Sequence, residues 1–177
     1  DLLEIAGAQH GYFTAAQAAA AGISRRALVG RARRGLIERI AYGLYRSSGY
    51  PAGPRDEFHA LQTSAPTATF SHETALELYG LSDVLPRTIH VTVPSASGLK
   101  PRAGTTIHRS DLAPTERILH DDLWVTDLPR TFRDCARWGT DPEQLLAAFD
   151  EARVRGMIGS EGAARLRSTY PFSLAAA

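Results

Sequence analysis

The sequence predicts an α+β protein: an N-terminal winged helix-turn-helix followed by a mixed α/β C-terminal domain. Three observations carry that expectation. Cap and stop residues divide Thr14 to Arg34 into two short helices around Gly22, and a hairpin pattern follows at Leu36 to Arg46. Beyond a Ser/Gly/Pro-rich stretch, strand-like alternation is interleaved with helical periodicity. At 177 residues the chain lies between one ordinary domain and two small ones. We place the boundary after residue 52, giving a DNA-binding domain at 1–52 and an α/β domain at 53–177.

Leu2, Leu3, Ile5 and Ala6 suggest a short first helix broken near Gly11. Thr14 is a good N-cap for Ala15 to Ala21, a run of maximal helix propensity that stops at Gly22. Its alanines are expected to serve close packing against the next helix. Ser24 caps that helix, which starts at Arg25, and the pair makes a helix-turn-helix. Leu28, Val29, Ala32 and Leu36 form one apolar stripe, while Arg26, Gly30, Arg33 and Arg34 fall away from it. After Gly35, two β-prone pieces flank a turn at Ala41, Tyr42 and Gly43, as a wing would.

Ser47 to Asp56 is dense in Ser, Gly and Pro and reads as a linker. Glu57 to Ala65 is helical in pattern, Thr67 to Phe70 a short strand, and Ser71 the cap of a helix ending at Gly80. "RTIHVTVP" and "GTTIHRS" alternate as strands. "LWVTDLPRTFRDCARWG" is a strand end followed by a helix from about Pro129. Thr140 or Asp141 caps a further helix that stops at Gly156, "GSEGAARLR" starts another, and "STYPFSLAAA" has the texture of a tail. The order of the strands is not readable from the sequence.

Composition narrows the class. A hydrophobic fraction of 44% with 22% charged residues is that of a globular protein, and no apolar run approaches a bilayer span. No cationic segment precedes an apolar core at the N-terminus, and Cys135 is the single cysteine, so the expected home is the reducing cytoplasm. The net charge of +1 hides an asymmetry. Residues 1–52 hold seven arginines against Asp1, Glu4 and Glu38, whereas acids exceed bases in the remainder. A small anion-facing module is therefore joined to a neutral-to-acidic body.

An outward basic face on the second helix of a winged helix suits DNA, because phosphate contacts supply most nonspecific affinity and arginine reads guanine edges bidentately. Arg26 and Arg33 are placed for bases, with Arg25, Arg31 and Arg34 nearer phosphate. Thr14 and Ser24, at helix N-termini, are candidates to hold phosphates through backbone N–H groups. Arg39, Tyr42 and Arg46 belong to the wing and are expected at the backbone or minor groove.

The C-terminal part offers weaker chemistry. His72 and Glu73 are adjacent and lack the spacing that sets two metal ligands on one helix face. His90 and His108 fit paired strands, but two strand histidines without a carboxylate are weak evidence for a metal. Asp121 and Asp122 read as a turn, and neither a nucleophile elbow nor a glycine-rich phosphate loop is present. No metal and no cofactor is expected. The principal expectation is a non-enzymatic regulator; the alternatives are a nuclease-related enzyme using His72, Glu73 and Asp122, or a stand-alone regulator with a partner-binding C-terminal domain.

"GYFTAAQAAAAGISRRALVGRARRGLIERIAYGLYR" resembles the winged helix of AbiEi-type antitoxins, and "FSHETALELYGLSDVLPRTIHVTVP" and "VTDLPRTFRDCAR" are similar to segments of the body of the same proteins. The resemblance implies the antitoxin of a type IV toxin-antitoxin system, a repressor of its own operon opposing a nucleotidyltransferase-like toxin, typically without a stable complex. Similar N-terminal regions also precede nuclease-like domains, for which the residues after Arg167 are too few. The expected DNA target is repeats at its own promoter, bound by a homodimer or by cooperative monomers, since one such module makes few contacts.

Overall fold

Thr14 sets the geometry of the N-terminal region by ending a strand and starting a helix. In the computed structural model, which describes residues 1–81 and 86–169, α1 (Leu2–Ala8) leads into β1 (Tyr12–Thr14) and α2 (Ala15–Ala20). Thr14 Oγ1 accepts the Gln17 N–H at 3.1 Å while Gln17 Oε1 accepts the Thr14 N–H at 2.8 Å. This reciprocal cap satisfies donors that a six-residue helix could not otherwise pair. Gly22, at φ +79°, turns the chain into α3 (Arg25–Arg33), whose cap Ser24 accepts the Ala27 N–H.

The wing is β2 (Ile37–Ala41) and β3 (Leu44–Ser47), joined through Tyr42 and Gly43. Its sheet has the order β1-β3-β2 and is antiparallel throughout. The register slips between Arg39 and Ala41, a bulge that increases local twist. Ala6, Phe13, Ala18, Leu28, Ile37 and Tyr45 form the core under these elements. Burying a side chain of the size of Leu28 or Phe13 stabilises by roughly 1.5–3 kcal/mol.

The chain divides into Asp1–Pro66 and Thr67–Ala177, so the division falls later than residue 52. The reason is α4 (Asp56–Ser64), which packs on β1 and β3. It buries Phe58 and Leu61 and stacks His59 on His10 at 3.6 Å between ring centroids. Ser47 to Asp56 is accordingly part of the N-terminal unit rather than a linker. Tyr50 covers Gly11, at φ +86°, where an added Cβ would lie 2.5 Å from the Tyr50 Cβ.

The second unit is built on a mixed five-stranded sheet. Its strands are β4 (Thr69–Phe70), β5 (Ile89–Val93), β6 (Thr105–Arg109), β7 (Arg117–His120) and β8 (Leu123–Thr126), in the order β6-β5-β4-β8-β7. β5 runs parallel to β6 and β4 parallel to β8, while β4/β5 and β7/β8 are antiparallel. The helices are α5 (His72–Leu78), α6 (Leu128–Trp138), α7 (Pro142–Val154) and α8 (Ser160–Thr169). Phe70, Leu76, Val91, Val125, Phe132 and Phe149 are fully enclosed. Asp127 caps α6 and Asp141 caps α7, each by accepting backbone N–H groups. Most of the tail expected after Arg167 lies outside the described residues, although Ser168 and Thr169 still belong to α8.

Arg130 anchors the base of α6. Its guanidinium donates to Asp134 at 2.7 Å, to Glu116 at 3.0 Å and to Ser110 at 2.9 Å, so a buried cation meets three acceptors. Among the described residues no helix is long and apolar enough to cross a membrane.

Candidate nucleic-acid interface

α3 buries Leu28 and half-buries Ala32, which orients the rest of the helix by its 100° step. Arg26, Gly30 and Arg33 fall opposite that buried line, and both arginines are exposed. Arg25 and Val29, one turn apart, face the wing instead. The expectation that Val29 and Leu36 join the buried stripe is corrected: Val29 is 45% and Leu36 54% exposed. Leu36 lies beyond the helix end, and Val29 looks across toward the hairpin.

Between α2, the start of α3 and the wing lies a cleft of about 590 Å³. Arg25 and Val29 line one side, Arg39 and Tyr42 another, and Ala15, Ala16 and Ala19 the floor. Tyr42 at the wing turn is 84% exposed, with the Arg39 guanidinium 6.0 Å from its ring centroid. The Ala15 N–H donates to the Gly43 carbonyl at 2.8 Å, tying the wing turn to α2. The alanines were missed as surface: within α2 only Ala18 is buried, and the small exposed side chains leave this wall open to close approach.

Three expected contact residues are placed differently. The hydroxyl and N–H of Thr14 are both taken up by the capping box, and the Ala15 N–H is held by Gly43, so this helix start is spent within the fold. Arg46 turns inward: it pairs with Asp56 at 3.2 Å, donates to the Tyr50 and Pro51 carbonyls, and lies 5.4 Å from the Tyr12 ring centroid. Arg31 is half-buried on the opposite flank of α3, lining a hollow with Leu2, Leu3 and Leu36. Ser24 and Arg34 remain exposed at the two ends of α3.

The second unit brings together residues far apart in sequence. In the β5/β6 register Thr92 stands opposite His108 and His90 opposite Thr106, which puts all four on one sheet face. His90 Nδ1 is 3.0 Å from His108 Nε2, so one ring donates to the other. His72, the first residue of α5, stacks on His108 with centroids 3.6 Å apart. Trp138 presents its ring edge-on to all three, at 5.0 to 6.0 Å.

Ser71 does not cap α5 as expected. Its Oγ accepts from the Thr92 hydroxyl and lies 2.9 Å from His72 Nδ1, so the side chain orients a histidine rather than satisfying a helix N–H. His72 has φ +55°, a conformation costly for a non-glycine residue and retained only where surroundings enforce it. Burial, reinforced by His108, His90 and Arg130, pushes the His72 pKa down to about 3. Burial and His90 bring His108 to about 4; burial also lowers His90, opposed by the Glu73 carboxylate. The three rings are neutral at physiological pH.

Glu73 accepts from the Thr140 hydroxyl at 2.9 Å. Asp122 sits with Asp121 in the two-residue β7/β8 turn, both at positive φ, outside the histidine cluster. The set His72, Glu73 and Asp122 is therefore not a converging site.

Residues 1–48 match the sequence model of a family described as a transcriptional regulator, AbiEi antitoxin. The match covers α1 through the wing and bears out the resemblance carried by Gly11 to Arg46. Over those residues the N-terminal unit is similar to an antitoxin-type transcriptional regulator. No curated protein matches the chain.

Proposed function

We propose that the N-terminal unit binds operator DNA in a sequence-specific manner and that the chain is a cytoplasmic, non-enzymatic autorepressor, the antitoxin of a type IV system opposing a nucleotidyltransferase-like toxin. The observation that carries the DNA reading is the exposed Arg26/Arg33 face of α3, set beside a cleft that Arg25, Arg39 and Tyr42 border. An α-helix with such a face fits the major groove, where each good bidentate arginine contact is worth about 1–3 kcal/mol of discrimination.

Arg26 and Arg33 read bases in this arrangement. Arg25, Ser24 and Arg34 take phosphates along α3, Arg39 takes a phosphate from the wing side, and Tyr42 reaches the adjacent minor groove. The alanine floor of the cleft lets the sugar-phosphate backbone approach α2 closely. Thr14 and Arg46 support the module from within, and Arg31 stands on its far flank. Two copies on promoter repeats supply the affinity that one module lacks, as a homodimer or as cooperative monomers. The toxin is opposed without a stable complex.

The test is an operator shift with the promoter-proximal repeats. Arg26→Ala with Arg33→Ala is expected to abolish specific binding at unchanged far-UV circular dichroism. Undiminished specific shifts by the double variant would remove α3 as the reading helix.

A further inference from the structure

We propose that His72, His90 and His108 form a binding site for a divalent transition-metal ion of the zinc class. Each residue offers one ring nitrogen, and the three donor atoms lie within 4.8 Å of one another. Two of them, on His90 and His108, are already 3.0 Å apart, within a few tenths of an ångström of the roughly 3.3 Å between neighbouring nitrogens on a tetrahedral cation bound at about 2.0–2.1 Å.

Several independent features favour a cation here. Imidazole nitrogen is a ligand such a cation favours, and two of the three rings, those of His72 and His90, are buried. The Ser71 hydroxyl holds His72 Nδ1, and such a partner fixes the tautomer and orientation of a ligating histidine. Ser71 is in turn held by Thr92. Glu73 lies close enough for its charge to act on His90, which offsets part of the charge of a dication. His72 keeps a costly positive φ, so the fold sustains backbone strain at the residue that closes the cluster.

In the metal-free arrangement one of His90 and His108 donates to the other, and binding requires the donor ring to carry its proton on its other nitrogen, so that both facing nitrogens are free to ligate. Three nitrogen donors leave a fourth position for water or another donor. The cluster is not sealed: His108 is half-buried and Trp138 is half exposed. Nitrogen donors select Zn²⁺, Co²⁺, Ni²⁺ or Cu²⁺ over Mg²⁺ and Ca²⁺, which prefer oxygen. The inference rests on the second unit alone and is independent of the DNA reading.

The experiment titrates the full chain with Co²⁺ as a spectroscopic probe and then with Zn²⁺. The expected result is one equivalent of Co²⁺ with visible d–d absorption, displaced by Zn²⁺, and weakened by His90→Ala or His108→Ala beyond the roughly 10–100-fold that loss of a supporting residue costs. A His10→Gln/His59→Gln variant, which removes the stacked pair of the N-terminal unit, is expected to leave the signal unchanged. Imidazole NMR of the wild-type chain needs no variant to fold: Zn²⁺ should shift three of the six histidines, those of the cluster. Absence of saturable Co²⁺ binding, or shifts confined to His10, His59 or His120, would overturn the proposal.

Discussion

The Arg46 guanidinium lies 3.2 Å from the Asp56 carboxylate, and this pair joins the wing to α4. Both side chains are largely shielded, and the same guanidinium also serves two backbone carbonyls. Arg46→Ala is therefore expected to destabilise the N-terminal unit by about 2 kcal/mol. Both tryptophans lie in the other unit, so hydrogen exchange of the β1 and β3 amides is the appropriate measurement. Unchanged protection together with lost DNA affinity would return Arg46 to the DNA face.

Arg25 and Arg39 border the cleft and are exposed, as suits phosphate contacts. Removing either by substitution with Ala should lower the salt slope of DNA binding by about 0.9 and weaken specific and random duplexes alike. Fluorescence anisotropy across a salt series measures this. A change confined to the operator sequence would instead make that residue a base reader.

Arg130 is buried and meets Asp134, Glu116 and Ser110. Arg130→Ala removes one of the two guanidiniums on these carboxylates, Arg133 remaining 2.8 Å from Glu116 and 4.0 Å from Asp134, and is expected to cost the second unit about 3 kcal/mol. Trp124 and Trp138 both report on this unit, so tryptophan fluorescence in a urea titration gives the readout. A loss under about 1 kcal/mol would show that the network is relieved by solvent.

Local chemistry made much of the fold legible. Thr14 and Ser24 were readable as caps, and the α7 cap narrowed to Thr140 or Asp141, because a cap bonds an N–H only two or three residues away. Gly22, Gly80 and Gly156 were readable as stops because their conformation is local. The boundary between the units was not: α4 joins the N-terminal unit through Phe58, Leu61 and the His10/His59 stack, none of which leaves a signal in a Ser/Gly/Pro-rich stretch.

The interface divides in the same way. Helical spacing was enough to single out Arg26 and Arg33, since the step of the helix carries them away from Leu28. Spacing did not distinguish Arg46 from Arg39, because whether a wing arginine turns in or out depends on Asp56 arriving from another element.

The sequence by itself determined the two capped helices, the wing and the outward arginines, all consequences of bonding and periodicity over a few residues. Tertiary structure alone decided the histidine cluster. The sequence allowed His90 and His108 on paired strands, but neither that those strands run parallel nor that His72, which follows β4, stacks against them was readable. Their convergence depends on strand order, and strand order is set by the packing of the whole sheet and its helices rather than by any local pattern.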